Sequence, residues 1–158
     1  RLAGWWGHEP ASRFQMAPEH RPAPGAEGWQ VSGPPILSTA PLVASLALFE
    51  EAGMSQLRQA SLRLTGRLAT GMAAAVGDEI DIITPLEPHR HGAQLSFRAK
   101  RGRKAGRLLF ERLMGHGVIG DWREPDIIRM APAPLYNTVE EVDRFVELVD
   151  ELIRAQRS

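Results

Sequence analysis

Cysteine is absent from this 158-residue chain, so neither a disulfide framework nor a thiolate metal site is available to it. This absence is typical of a cytoplasmic protein, and we expect that localisation. No apolar run approaches the roughly 20 residues that a membrane-spanning helix needs, so we expect no membrane partner. The 19 basic residues balance the 19 acidic ones, which gives no electrostatic reason to expect nucleic acid as a partner.

Lysine is nearly absent as well, because Lys100 and Lys104 are the only two lysines among the 19 basic residues. Both lie in a basic stretch over residues 98–107. Two interpretations of this stretch are open: a solvated loop that leads into a helix, which we favour, or a phosphate-binding patch.

The rest of the composition, 43% hydrophobic and 24% charged, is that of a soluble globular protein with one core. Residues 1–35 are broken by proline and glycine and indicate extended loops. Later segments alternate between helical and strand-like spacing of apolar residues, which predicts a small sheet covered by helices, an α/β or α+β fold. The predicted helices run from a cap at Ser38 or Thr39 to Gly53, over 54–76 and 106–114, and from Thr138 to Ile153; the predicted strands are 80–83, 94–98, 118–122 and 127–130.

The least common motif is the segment Gly4–Pro10, in which two adjacent tryptophans stand between glycines. Such a segment is costly as a free loop unless the indoles cover something flat and apolar. The segment therefore either packs in a core or an interface, or forms part of a surface that binds a ligand.

Four blocks in this order and spacing, residues 4–10, 13–16, 31–37 and 123–137, closely resemble the C-terminal part of the kynureninases. These are pyridoxal 5'-phosphate (PLP) enzymes of fold type I, in the class V aminotransferase-like group. The resemblance implies a small C-terminal α/β domain over residues 38–158, preceded by an active-site and cofactor loop segment over residues 1–37. It also implies PLP as cofactor, a kynurenine-like substrate and a homodimer.

The activity implied by the resemblance is hydrolysis of L-kynurenine to anthranilate and L-alanine in tryptophan catabolism, with 3-hydroxykynurenine as a second candidate substrate. A PLP enzyme needs a lysine for its Schiff base, and Lys100 and Lys104 both lie in the predicted basic loop. In the family that lysine lies upstream of the segment matching Gly4–Pro10. We therefore expect it before Arg1, in a PLP-binding domain against which residues 1–35 become ordered, and we expect this chain alone to be inactive.

Arg129 is the strongest candidate for a substrate contact. It stands among apolar neighbours in the predicted strand 127–130, where a guanidinium needs an anionic partner. A structural pair with Glu124 or Asp126 would meet this need. The resemblance implies instead that Arg129 binds the α-carboxylate of the substrate, a task that suits its planar fork.

Aromatic and small residues complete the predicted site. The resemblance implies that Trp5 contacts the PLP phosphate and that Trp6 and Phe14 line the substrate pocket, although one of the three aromatics could simply pack. Gly33 corresponds to a position at which some relatives carry an asparagine or threonine that contacts the substrate or the cofactor. For Ser32 two interpretations are open: a replacement hydroxyl for that contact, or a simple turn residue. Gly33 offers only its backbone, so this departure weakens one cofactor contact and argues against a preference for 3-hydroxykynurenine.

Histidines offer little further chemistry. For His8 we expect a role in orienting its loop rather than in proton transfer. The His89-x-His91 pair lacks a third ligand at a suitable spacing, so we expect no metal site. Two other functions stay open: a catalytically incomplete domain that binds a partner or an aromatic metabolite, and another class V enzyme such as a cysteine desulfurase or a small aminotransferase.

Overall fold

The computed structural model describes residues 2–156, which form two compact units, Arg1–Phe49 and Glu50–Ser158. These two units divide between residues 49 and 50, whereas we predict a domain boundary between residues 37 and 38. The predicted boundary concerns the domains of the whole protein and stays a prediction. No single helix among residues 2–156 is both long and apolar enough to span a membrane; only the first two helices together, bent by 82°, reach that length and composition.

The first unit is built from turns and one helix. Short 3-10 turns at Trp5–Gly7 and Gly25–Trp29 are joined by an isolated antiparallel bridge between His8 and Pro22. Gly7 is required where these turns meet, because a Cβ atom there would lie 2.8 Å from the carbonyl oxygen of Gln30. The loops predicted over residues 1–35 are thus present, with two turns of 3-10 helix within them.

Helix α1, Ile36–Ala52, starts earlier than predicted. The carbonyl oxygen of Pro35 accepts the backbone N–H groups of Ser38 and Thr39, at 3.1 and 3.0 Å, so both residues lie inside the helix and neither caps it. The predicted cap is therefore wrong. Helix α1 ends before Gly53, as predicted, and the φ of Gly53 is left-handed, at +75°.

The second unit contains the remaining helices and strands, together with a short 3-10 turn at Pro88–Arg90. They are α2 (Met54–Val76), β1 (Ile80–Ile82), β2 (Leu95–Ala99), α3 (Arg103–Gly115), β3 (Asp121–Arg123), β4 (Ile127–Met130) and α4 (Val139–Ala155). The four strands form one sheet in the order β1-β2-β4-β3, and every neighbouring pair is antiparallel. The predicted small sheet with covering helices is confirmed.

The strand predicted over residues 118–122 is reduced to Asp121–Arg123. Gly117 has a φ of +81°, and the N–H of Val118 bonds to the carbonyl oxygen of Leu113 at 3.1 Å. The end of α3 therefore uses the backbone groups that a longer strand would need.

The core lies between the sheet and helices α2, α3 and α4. Alternate strand residues are buried on this face, and Leu95, Phe97, Leu68, Leu113 and Val149 are almost fully excluded from solvent. Helix α4 begins with the predicted cap: Thr138 and Glu141 exchange side-chain to backbone hydrogen bonds in a capping box. Because the helices cover one face, the other face of the sheet is free to carry polar side chains.

Candidate functional site

Arg129 lies on the sheet face that the helices leave uncovered. Its β4 neighbours Ile128 and Met130 are buried in the core, whereas the Arg129 side chain retains 28% of its exposure. In the sheet register Arg129 stands opposite Ser96 on β2 and opposite Asp121 on β3. A hydroxyl, a guanidinium and a carboxylate thus form one row across three strands.

Asp121 is the anionic partner of Arg129. Its Oδ2 accepts a hydrogen bond from Arg129 Nε at 2.5 Å and also contacts Arg129 Nη2. The same oxygen lies 2.9 Å from Nε of Arg123. Two guanidinium groups therefore share one carboxylate, and this corner of the sheet has a net positive charge.

The partners that we predicted for a structural Arg129 pair, Glu124 and Asp126, bind other arginines. Glu124 accepts hydrogen bonds from Arg103, and Asp126 lies 3.1 Å from Nε of Arg98. That part of the prediction is wrong because the β3–β4 hairpin places Asp121, not the turn acids, beside Arg129. The sequence analysis missed Asp121. Asp121 and Arg129 are eight residues apart, and only the register of the β3–β4 hairpin, which the sequence does not reveal, brings them opposite each other.

The basic stretch over residues 98–107 is neutralised at several points by acidic partners. In addition to the Arg98 pair, Lys100 lies 3.5 Å from Asp81 and Arg107 lies 2.7 Å from Glu111. Hydrogen bonds from Arg103 and then from Trp122 hold the pKa of Glu124 below its usual value. These pairs favour a solvated, ion-paired surface over a phosphate-binding patch. The predicted loop is shorter than expected, because Arg98 belongs to β2 and α3 already begins at Arg103.

The aromatic residues of the predicted site cluster within the first unit. The rings of Trp5 and Phe14 meet edge to face with centroids 5.8 Å apart, and the Arg13 guanidinium lies 4.8 Å from the Trp6 ring centroid. A Cβ atom at Gly33 would lie 3.4 Å from Trp6 Nε1, so Gly33 borders this cluster. All three predicted aromatics are exposed: Trp5 by 52%, Trp6 by 42% and Phe14 by 71%.

Two predicted site residues, Ser32 and Arg129, are not part of this aromatic cluster. Ser32 is exposed, and no hydrogen bond or ring contact joins it to the aromatic residues within residues 2–156. Arg129 belongs to the second unit, whereas the other five predicted site residues belong to the first. The structure thus brings Trp5 to Phe14 and Trp6 to Gly33.

His8 is buried in the loop that follows the two tryptophans. Its Nδ1 accepts the backbone N–H of Arg21 at 3.3 Å, so Nε2 carries the proton and donates to Ser12 Oγ at 2.9 Å. Ser12 in turn donates to Glu9 at 2.6 Å, and this bond is the main cause of the lowered pKa of Glu9. This chain of hydrogen bonds holds the loop together, which agrees with the role that we expected for His8. Ser12 and Glu9 were missed, because their side chains come into line with His8 only in the folded loop.

Metal-binding groups are not assembled in the part of the chain that the structure describes. Within residues 2–156, no three histidine, cysteine or acidic side chains come together as a set that could hold a metal ion. The His91 Nδ1 lies 2.8 Å from the backbone oxygen of Gly92, and both His89 and His91 are on the surface or close to it.

The fold is that of the C-terminal portion of fold type I enzymes. The chain superposes with a TM-score of 0.72 on a complex of the cystine C–S lyase C-DES with cysteine persulfide, at 19% identity, covering 95% of this chain and 38% of that one. A C-DES mutant whose PLP cofactor is covalently linked to glycine gives a TM-score of 0.71 at 20% identity, covering 95% of this chain and 37% of that one. The cysteine desulfurase of Thermococcus onnurineus NA1 gives 0.68 at 17% identity, covering 98% and 39%. At these identities the likeness shows the fold alone.

Sequence comparison is more specific than the fold. The family profile described as the kynureninase C-terminal domain matches residues 57–149. The kynureninase of Stenotrophomonas maltophilia is 61% identical over 150 residues, and that of Xanthomonas axonopodis pathovar citri is 57% identical over 150 residues. This chain belongs to the kynureninase family. Both alignments cover 95% of this chain, and the chain spans about a third of these relatives, 35% and 36% of their lengths.

Proposed function

We propose that this chain is the C-terminal part of a PLP-dependent hydrolase that cleaves L-kynurenine to anthranilate and L-alanine. The family membership and the 61% identity to a kynureninase support the activity. The structural observation that carries the proposal is Arg129, a partly buried guanidinium on an uncovered sheet face. We propose that the complete protein is a cytoplasmic homodimer.

Arg129 has the chemistry that an α-carboxylate requires. A guanidinium has five N–H donors in a rigid fork, and Asp121 engages only its Nε and Nη2. Nη1 and the second N–H of Nη2 make no hydrogen bond within residues 2–156. Those donors form the edge that binds a carboxylate in a bidentate manner.

The aromatic cluster of the first unit suits the aryl ketone part of kynurenine. Trp6 and Phe14 offer exposed rings for an aryl ketone, and such rings are costly on a surface unless a ligand or another domain covers them. Gly33, next to the Trp6 indole, brings no polar side chain to this cluster, which supports kynurenine over its 3-hydroxy form as substrate. The Ser32 hydroxyl makes no hydrogen bond to residues 2–156, so it is available for a polar contact.

The first unit also fits a bound PLP phosphate. The indole N–H of Trp5 makes no hydrogen bond within residues 2–156, so it is available to a phosphate oxygen. Gly33 has no side chain, so in this proposal it offers only its backbone to the cofactor. When bound, PLP supplies the electron sink for cleavage of the bond between Cβ and Cγ.

The lysine that holds the cofactor belongs, in this proposal, to the part of the protein outside this chain. Lys100 donates to the backbone oxygen of Gly77 at 2.7 Å and lies at the surface, and Lys104 is exposed near the start of α3. We therefore propose that this chain alone does not turn over kynurenine.

The test uses the full-length protein loaded with PLP. Release of fluorescent anthranilate and of alanine in equal amounts from kynurenine is the expected result, with loss of turnover in Arg129→Ala. Sulfide release from cysteine without anthranilate would contradict the proposal in favour of another class V enzyme. Binding of kynurenine without turnover by the loaded full-length protein would contradict it in favour of a binding domain.

A further inference from the structure

The row Ser96, Arg129 and Asp121 contains one contact that the proposed function does not use. Asp121 engages Arg129 through one edge of the guanidinium, the edge formed by Nε and Nη2. This contact restricts the rotation of the guanidinium about its long, flexible side chain. The opposite edge of the guanidinium, from Nη1 to Nη2, stays open.

Asp121 is itself held in place. It is paired with Arg129 in the register of β3 and β4, and Nε of Arg123 lies 2.9 Å from the oxygen that Arg129 contacts. Arg123 is two residues further along the same strand, so it lies on the same face of the sheet. Asp121, whose side chain is 44% exposed, is thus contacted by two guanidinium groups at once, Arg129 and Arg123.

From this geometry we propose that Asp121 is a positioning residue that orients the open edge of Arg129 toward the α-carboxylate of the substrate. The inference rests on the proposed function and extends it to a residue that does not itself touch substrate. Asp121 lowers the orientational cost of binding, because the fork is already fixed before the carboxylate arrives. The second guanidinium, Arg123, leaves the corner with a net positive charge despite the carboxylate.

A competing role for the same contact leads to the opposite result. If Asp121 instead occupied the carboxylate site, the substrate would have to displace it, and its removal would strengthen binding. The side-on contact favours positioning, since it leaves the edge that a bidentate carboxylate uses. Whether replacement of Asp121 raises or lowers the KM for kynurenine therefore distinguishes the two roles.

The experiment compares kynurenine with its decarboxylated amine in the full-length, PLP-loaded protein. Asp121→Asn removes the charge of Asp121 at constant size. We expect the KM for kynurenine to rise about tenfold, the size of one charge-assisted hydrogen bond, with kcat changed less than about twofold. The inhibition constant of the amine, which lacks the α-carboxylate, stays within about twofold of the wild-type value.

The matched control is Asp126→Asn, the same chemical change at a carboxylate that pairs with Arg98 instead of Arg129. We expect this variant to keep the wild-type KM. Asp121→Glu keeps the charge and recovers part of the loss; it also serves as the test if Asp121→Asn does not fold. A lowered KM in Asp121→Asn, or an equal change for kynurenine and the amine, overturns the inference.

Failure of the proposed function gives a different pattern. The quantity compared is the preference of the protein for kynurenine over the amine, measured as the ratio of their dissociation constants. If Arg129→Ala does not change this preference, Arg129 does not bind the α-carboxylate, and the role of Asp121 is wrong as well. If Arg129→Ala abolishes this preference while Asp121→Asn and Asp121→Glu preserve it in full, only the role of Asp121 is overturned.

Discussion

Gly33 stands directly beside the indole nitrogen of Trp6: a Cβ atom on residue 33 would lie 3.4 Å from Trp6 Nε1, at the edge of ordinary contact distance. The next nearest atom, Trp6 Cε2, would be 3.9 Å away. A small side chain therefore fits at this position without displacing backbone, and it would meet an N–H donor.

The first prediction concerns Gly33→Asn. In the full-length protein we expect the variant to fold and to raise the ratio of kcat/KM for 3-hydroxykynurenine over kynurenine by about tenfold, because a site that hydrogen-bonds a substrate hydroxyl discriminates strongly. Gly33→Ala is the control, since it adds the Cβ atom without the amide. An equal ratio in both variants would show that the position does not read the substrate ring.

The second prediction concerns Arg129→Lys. An ammonium is a point charge and cannot form the two parallel hydrogen bonds of the guanidinium fork. We expect the KM for kynurenine to rise by about tenfold or more while folding is preserved. The check is steady-state kinetics of anthranilate release, and an unchanged KM would refute the clamp.

Much of the fold around this site could be predicted because its signals are local. The apolar neighbours of Arg129 predicted a strand that contains it, and Thr138, with acidic residues in the first turn after it, predicted the start of α4. Neither inference needs to know what lies across the sheet.

The partner of Arg129 could not be predicted in this way. Glu124 and Asp126 are nearer along the chain, but the register of the β3–β4 hairpin aligns Asp121 with Arg129. This register depends on the turn between the strands, whose type the sequence did not reveal. The shortened β3 has a similar cause, since Gly117 adopts a left-handed φ and extends the end of α3.

The third prediction uses two glycines of α2 as a matched pair. A Cβ atom at Gly71 would lie 2.9 Å from Cγ2 of Val146 on α4, whereas nothing lies within 4 Å of one at Gly66. We expect Gly66→Ala to raise the free energy of unfolding by about 0.5–1 kcal/mol through helix propensity. Gly71→Ala should lower it by about 1 kcal/mol, because stiff Val146 must move.

The measurement for this pair is denaturant unfolding of the 158-residue chain, followed by circular dichroism. Opposite signs for the two alanine variants support close contact between α2 and α4. Equal stabilisation by both would show that the helices are further apart than the structure places them.

The last prediction concerns the ion pair between Arg67 on α2 and Asp143 on α4, whose Nη2 and Oδ2 atoms lie 2.9 Å apart. The hydrogen bond from Arg67 lowers the pKa of Asp143 below its ordinary value of 3.8. A lowered folded-state pKa contributes stability above the unfolded-state pKa, and this contribution is lost as the pH falls through the folded-state value. Asp143→Asn should therefore lower the free energy of unfolding at pH 6, and its difference from wild type should close as the pH falls below about 4.

The control is Glu147→Gln, an exposed change on the same helix, whose difference from wild type should not depend on pH in this range. A difference that stays constant across this pH range would mean that Arg67 does not stabilise the charged form of Asp143, and added salt, which screens such a half-exposed pair, should narrow the difference at pH 6.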